Sequence, residues 1–442
     1  MELPLIGAKG AGAFLQDKRR ARLPIERQSL YKREIENMNE QESQAFHKET
    51  MDWLRSAKLE NRQSLGQYMT PKFLRTYLLE QLSISPGERV LDPAVGTGEF
   101  LRQAIDYFPG IEAFGWDVDP DILRVANSLV PEAQTKCRSA LEPFDGELFD
   151  YVIGNPPYFE MNLDDQMKKE FSDVISGRPN IYALFFKVGI DALKVGGTLA
   201  YVVPPSMNAG AYFRNLRRYL TEENHIVSLK VFNDSSLFVD AQTSVQVIVV
   251  KKGQGKSKHT FFVKGEDSSV SSLILCEQPE DFEKLYENSV SLNSLGYEAV
   301  TGTTVWNQHK EKLTNVECEE SVPLLYARNI KETGISMIPD ERRPQYIVNG
   351  KSFNGPAIVV NRIIGGVGKG LIKSALLPEG YVFAAENHLN VIRPIEGAKQ
   401  KVSLEKLFEL INEADTVLKA RTLTGNTQLS ASEWNFLIPF RI

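Results

Sequence analysis

The feature that most limits what this chain can fold into is an alternation of short apolar runs with helical stretches. Runs rich in β-branched and apolar residues fall at 89–92, 113–117, 150–154, 198–203, 226–232 and 244–250, the length and composition of buried strands. Between them, 100–107, 120–128, 183–193 and 211–220 have helical spacing. Strand and helix taking turns predict an α/β, doubly wound sheet with helices on both faces, whose binding site lies at the carboxyl ends of the strands.

The flanks differ. Residues 28–62 are polar, free of internal glycine and proline, and carry Ile35, Met38, Phe46, Met51, Trp53, Leu54 and Ala57 at helical intervals, which predicts a short helical N-terminal arm over 1–62. A lysine- and serine-rich stretch, 251–259, follows the last strand and reads as a linker or long hairpin. The three expected regions are therefore 1–62, a domain over 63–253, and a mixed α+β domain over 254–442. The most apolar stretch, 182–203, is interrupted by Lys187, Asp191 and Lys194, so no membrane span is expected. Cys137, Cys276 and Cys318 are too scattered for a disulfide framework, and the five histidines lack ligand spacing. A cytoplasmic protein without a metal is the expectation. The net charge of −6 argues against coating nucleic acid by bulk attraction and leaves room for a local basic cleft.

Two constellations carry chemistry. In the first, Val90-Leu-Asp-Pro-Ala-Val-Gly-Thr-Gly-Glu-Phe100, a strand runs through a glycine turn into a helix. Gly96 and Gly98 can let the backbone approach a ligand, and the helix start offers N–H groups. A glycine turn alone fits many sites, or no site at all. About twenty residues on, Asp117 closes the next strand, where a carboxylate can accept from both hydroxyls of a ribose. In the second, Gly154-Asn-Pro-Pro-Tyr158 ends a strand. Consecutive prolines remove two N–H donors and turn nearby carbonyls outward. Asn155 Oδ1 and the Pro156 carbonyl can then accept both hydrogens of one NH2 group, with Tyr158 as a flat stacking face. A planar heterocycle bearing an exocyclic amine suits that arrangement; so does a plain turn with a tyrosine lid.

Taken in order, Gly66-Gln-Tyr-Met-Thr-Pro71, Asp92-Pro-Ala-Val-Gly-Thr-Gly98 and Asn155-Pro-Pro-Tyr158 resemble the gamma-class, Taq-type DNA adenine-N6 methyltransferases of restriction-modification systems. The resemblance implies a Rossmann-like S-adenosylmethionine-dependent methyltransferase domain followed by a target-recognition domain. It implies a cofactor site at Tyr68, Thr70, Asp92, Pro93, Ala94, Gly96, Gly98, Phe100, Asp117, Val118, Ser139 and Asn155. Thr70 and the Asp92 to Gly98 turn would take the methionine end and Asp117 the ribose, while Ser139 stands where relatives often carry a carboxylate for the cofactor's adenine. Catalysis would fall to Asn155, Pro156, Pro157 and Tyr158, with Tyr158 and Phe238 stacking a flipped target base. The partner would be double-stranded DNA, read by Trp306, Arg328, Asn361, Arg362 and Lys369 among the cations and aromatics of the C-terminal domain. The protein would act as a monomer, beside a separately encoded endonuclease. The run Gly365-Gly-Val-Gly-Lys-Gly370 lacks the earlier glycine and the final hydroxyl of a phosphate loop, so nucleotide hydrolysis is excluded. An RNA amino-methyltransferase, a glutamine-N5 or cytosine-N4 enzyme and a silent DNA-binding module are the competing readings.

Overall fold

The structure, a computed structural model, describes residues 46–57, 62, 66–177, 179–232, 244–264, 271–331, 334–338, 342–362, 372–424 and 429–442. The described chain forms two compact units, one taking in residues through Thr260 and then Leu273–Pro279, the other Phe261–Ser272 and Glu280–Ile442.

The first unit is built on a seven-stranded sheet. Its strands are β1 (Arg89–Asp92), β2 (Glu112–Asp117), β3 (Gln134–Cys137), β4 (Phe149–Gly154), β5 (Leu193–Val203), β6 (His225–Phe232) and β7 (Val245–Lys251), in the order β3-β2-β1-β4-β5-β7-β6. β1 pairs in parallel with β2 and with β4, β2 with β3, and β4 with β5. The strand order reverses beside β1, which opens a crevice at the carboxyl ends of β1 and β4. β7 is the exception to the parallel pattern, since it runs antiparallel to both β5 and β6. Phe232 pairs with Val245, so β6 ends level with the start of β7, and an antiparallel pair of this kind needs no crossover.

Alternate residues of each central strand enter opposite cores. Leu91, Val152, Leu199, Tyr201 and Ile248 pack on one face with α6 (Ile181–Asp191) and α7 (Arg214–Arg218). Val90, Ile153, Ala200, Val202 and Val247 pack on the other with α2 (Lys72–Glu80), α3 (Glu99–Tyr107) and α4 (Pro120–Leu129). A sheet buried on both faces explains why these strands read as nearly unbroken apolar runs. Helix starts follow local chemistry: Asp119 accepts from the Asp121 N–H at the head of α4, which begins with Pro120, and Asn180 accepts from the Tyr182 N–H at the head of α6. The helix expected over 211–220 is broken instead into a 3-10 turn (Ala211–Phe213), α7 and a π turn (Tyr219–Glu223). Two side chains explain the break. Arg217 is buried and donates to the carbonyls of Met207, Gly210 and Leu273, while the Thr221 hydroxyl takes the Arg217 carbonyl at 2.8 Å in competition with a helical amide. Before the sheet lie α1 (Lys48–Ser56) and α2, and α5 (Asp165–Glu170) follows β4; α5 and the edge strand β3 have too little apolar periodicity to stand out in the sequence.

Among the described residues, the two main sheets of the second unit are built from nine short strands: β8 (Tyr297–Thr301), β9 (Leu313–Thr314), β10 (Ser321–Leu325), β11 (Tyr346–Val348), β12 (Phe353–Asn354), β13 (Ala357–Asn361), β14 (Ser374–Leu377), β15 (Val382–Ala385) and β16 (Leu389–Pro394). They form a four-stranded sheet, β8-β16-β13-β14, and a five-stranded sheet, β9-β11-β10-β15-β12. Helices α8 (Leu404–Asn412), α9 (Ala414–Thr424) and α10 (Ala431–Phe436) close the unit. No helix among the described residues is long and apolar enough to cross a membrane.

Candidate active site

The crevice at the carboxyl ends of β1 and β4 is a cavity whose wall includes eleven of the twelve residues expected there: Tyr68, Thr70, Asp92, Pro93, Ala94, Gly96, Phe100, Asp117, Val118, Ser139 and Asn155. Gly98 is not on that wall. It has φ +90°, and a Cβ there would sit 3.0 Å from Val130 Cγ2 and 3.3 Å from Ala126 Cα. Its missing side chain lets α3 and α4 pack closely, and ligand approach rests on Gly96.

Asp92 ends β1 inside the protein. Burial pushes its carboxyl up to about 7, the Ala94 N–H at 3.0 Å pulls it back, and the charge of Asp117 adds to the rise. Gly154, at φ +146°, leaves the space this carboxylate fills, since a Cβ there would meet Asp92 Oδ1 at 2.6 Å. Asp117 closes β2. Burial raises its carboxyl too, against N–H groups of Asp119 and Gly96, each at 3.0 Å. Two desolvated carboxylates thus face one cavity, with no lysine or arginine in an ion pair with either among the described residues, an acceptor set suited to a ligand with an ammonium and vicinal hydroxyls.

The far wall is laid by β3 and its loop. Ser139 Oγ accepts the Leu141 N–H at 3.2 Å. Arg138, unforeseen in the sequence, lies 4.5 Å over the Trp116 ring and donates to the carbonyls of Ser139, Glu142 and Pro143. Ala140, Leu141, Ile122 and Val118 supply apolar surface beside it. A flat aromatic ligand group fits such a wall.

Asn155 and Pro157 line the cavity, whereas Pro156 and Tyr158 do not. Asn155 Nδ2 donates to the Tyr68 carbonyl at 3.0 Å, which fixes the carboxamide and leaves Oδ1 as its acceptor side. The Tyr158 hydroxyl bonds Asn155 Oδ1 and donates to the Val202 carbonyl at 2.6 Å. Enclosure holds its phenol well above the ordinary tyrosine value. The Tyr158 ring runs nearly parallel to Tyr68 at 6.4 Å and edge-on to Tyr182 at 6.0 Å, and Tyr182 in turn hydrogen-bonds Ser206 at 3.1 Å. Tyr182 and Ser206 were not singled out in the sequence, where an isolated tyrosine or serine gives no signal. Phe238 lies outside the described residues.

A second buried network meets the cavity at Arg75, Thr97 and Glu99. Arg75 pairs with Glu99 at 2.9 Å and donates to the Thr70 carbonyl at 2.6 Å. Only the position of Glu99, first in the helix after the glycine turn, could have pointed to it.

In the second unit the expected DNA-reading residues are divided. Trp306 is half-buried in a cluster with Tyr326 and Ile347, with the Arg343 guanidinium 5.7 Å from its ring. Arg328 lies 5.5 Å over Tyr326 and donates to the Arg343 carbonyl. Asn361 is buried, its Oδ1 accepting the Lys373 N–H at 2.8 Å, and so staples β13 to the strand after it. Arg362 donates to the Asn387 carbonyl at 3.0 Å, and Lys369 lies outside the described residues. Among the described residues no cluster of three His, Cys, Asp or Glu is arranged to hold a metal.

The profile of the Eco57I restriction-modification methylase family matches residues 111–238. The chain is 27% identical over 219 residues to modification methylase CviBIII of Paramecium bursaria Chlorella virus NC1A, a match covering 48% of this chain and 56% of the relative. It is 26% identical over 324 residues to type II methyltransferase M.CvrRI of Paramecium bursaria Chlorella virus XZ-6E, covering 72% and 80%. Against type II methyltransferase M.BsuBI of Bacillus subtilis the identity is 23% over 443 residues, covering 85% and 87%. Among solved structures, a Listeria monocytogenes protein assigned to the class I S-adenosylmethionine-dependent methyltransferases is 24% identical with a TM-score of 0.41, covering 51% of this chain and 72% of that one. The first unit thus has a Rossmann-like fold of the S-adenosylmethionine-dependent methyltransferase kind, on a chain similar in sequence to type II restriction-modification methyltransferases.

Proposed function

We propose that the chain methylates adenine N6 in duplex DNA at a specific sequence, as the modification half of a restriction-modification system. The observation that carries this reading is the fixed carboxamide of Asn155 at the cavity edge, with its Oδ1 kept as the acceptor side by the bond from Nδ2 to the Tyr68 carbonyl. An aromatic amine is a poor nucleophile because its lone pair is spread into the ring. Asn155 Oδ1 and the Pro156 carbonyl accept its two hydrogens, which favours a pyramidal nitrogen and holds the lone pair toward the cavity. For that, the Tyr158 hydroxyl gives up Asn155 Oδ1 and keeps its bond to Val202. S-adenosylmethionine supplies an electrophilic methyl group. Asp92, Asp117 and Thr70 hold its polar groups, and the Ser139 wall holds its base.

The amine is out of reach inside a duplex, so the base is flipped out and stacked on Tyr158, with Phe238 as the second face that the family resemblance names. The second unit reads the site through Trp306, Arg328 and Arg362, with Arg343 beside them and Lys369, expected from the sequence, on phosphates. The protein acts alone on DNA, and a separate endonuclease cuts the unmodified site. Digestion of duplex DNA after incubation with labelled S-adenosylmethionine should yield labelled N6-methyl-2′-deoxyadenosine, at one recurrent sequence. Label on cytosine N4, on RNA or on a glutamine side chain overturns this assignment.

A further inference from the structure

Helix α1 packs beside the glycine turn through Phe46, Met51 and Leu54, which cluster with Trp53 and Met69. The polar contacts of Thr50 and of His47, which precedes the helix, reach one end of the cofactor cavity. The Thr50 hydroxyl, fully buried, bonds Thr97 Oγ1 at 3.0 Å, and Thr97 Oγ1 bonds Met69 Sδ at 3.5 Å. The His47 N–H donates to Glu99 Oε1 at 2.8 Å, and the His47 ring lies 3.1 Å from Glu99 Oε2 through Nδ1. Glu99 Oε2 also holds Arg75 Nη2 at 2.9 Å. Arg75 Nε donates to Gln103 Oε1 at 2.8 Å, and Nη1 to the Thr70 carbonyl at 2.6 Å.

Arg75 and Glu99 are both buried, and both face the cavity. A buried ion pair gives little net stability, and breaking it on one side is costly. A pair kept in such a place is better explained by what it positions. Here that is Thr70 and, through it, the segment carrying Tyr68 and Met69, on the side of the cavity that also holds Asp92 and Thr97.

We propose that His47, Glu99 and Arg75 form a positioning relay that makes this wall complementary to the charged amino-acid end of S-adenosylmethionine, so that the N-terminal arm is part of the cofactor site. The proposal rests on the assignment of that cofactor. The relay acts through Thr70 and leaves the ribose and adenine walls, at Asp117 and Ser139, untouched. Two ligands separate these ends. S-adenosylhomocysteine carries the amino-acid end, and 5′-methylthioadenosine lacks it while keeping sulfur, ribose and adenine.

Titration calorimetry of the full chain with both ligands tests the relay in His47→Ala, Glu99→Gln and Arg75→Lys. His47 is half-exposed, so its variant folds even if a change at the buried pair does not. The expected result is a loss of about tenfold in S-adenosylhomocysteine affinity, as for one charge-assisted hydrogen bond, with methylthioadenosine affinity unchanged within about twofold. S-adenosylhomocysteine should also slow amide hydrogen exchange across 47–56 in the wild type, and methylthioadenosine should not. Equal losses for both ligands, or no loss in any variant, overturn the relay while leaving the cofactor assignment standing. Wild-type protein that binds neither ligand overturns both.

Discussion

Both units bury polar side chains, and two pairs of them, Asp92 with Asp117 and Asn329 with Gln345, are used in opposite ways. In the first unit Asp92 and Asp117 are desolvated at strand ends and face a cavity, so their burial is compensated only in part by N–H groups of the local turns. In the second unit Asn329 and Gln345 are equally buried, yet the Asn329 carboxamide bonds the Tyr326 N–H, the Ser336 carbonyl and Gln345 Oε1, and Gln345 Nε2 bonds the Arg343 carbonyl. Asp92 and Asp117 present acceptors to a cavity, while Asn329 and Gln345 bond the backbone around them and each other. A buried polar residue therefore marks a site only when its partners within the protein are incomplete.

That contrast can be broken by substitution. The largest effect is expected at Asn155→Ala, which removes a transition-state acceptor: turnover should drop at least about a thousandfold, while calorimetry shows S-adenosylhomocysteine still bound. Normal turnover would falsify the proposed chemistry. Next comes Asp92. Its folded carboxyl titrates near 7 against about 4 in the unfolded chain, so the folded state binds more protons between those values. Stability from this group is full below about pH 4 and is lost as the pH rises through about 7. Thermal melts of the ligand-free protein should fall across that window, and Asp92→Asn should flatten the fall. If the cofactor's ammonium meets the ionised form, its affinity should rise over the same window; a pH-independent affinity would separate Asp92 from the ligand.

In the second unit, Asn329→Ala should cost about 2 kcal/mol, as a buried network left unsatisfied, read as a lower urea midpoint. S-adenosylhomocysteine affinity should stay the same. A loss of cofactor affinity equal to the loss of stability would erase the distinction between the units. The smallest effect is expected at Arg343→Ala. DNA affinity should weaken by about threefold for every sequence, and the slope of log affinity against log salt should fall by about one, as for one phosphate contact. A change confined to one base position would make Arg343 a base reader instead.

The first unit was legible because its strands are buried on both faces and its chemistry is contiguous. The runs at 89–92 and 150–154 correspond to β1 (Arg89–Asp92) and β4 (Phe149–Gly154), and the motifs ending them place Asp92 and Asn155 on one cavity. β3 was missed as a strand because three of its four residues are exposed. The reversed β7 was missed because direction is decided by the connection and not by composition. The second unit was much less legible, since strands of two to six residues leave no periodicity to read.

Sequence alone determined the strand-and-helix alternation, the glycine turn, the acidic strand ends and the Asn-Pro-Pro-Tyr loop, because each is a local pattern of neighbours in the chain. Tertiary structure decided that Gly98 serves helix packing, that Asn361 staples a strand, and that His47, Glu99 and Arg75 meet beside the cavity. His47 and Glu99 stand 52 residues apart, and a contact between distant residues is set by how the layers pack, which no local pattern records.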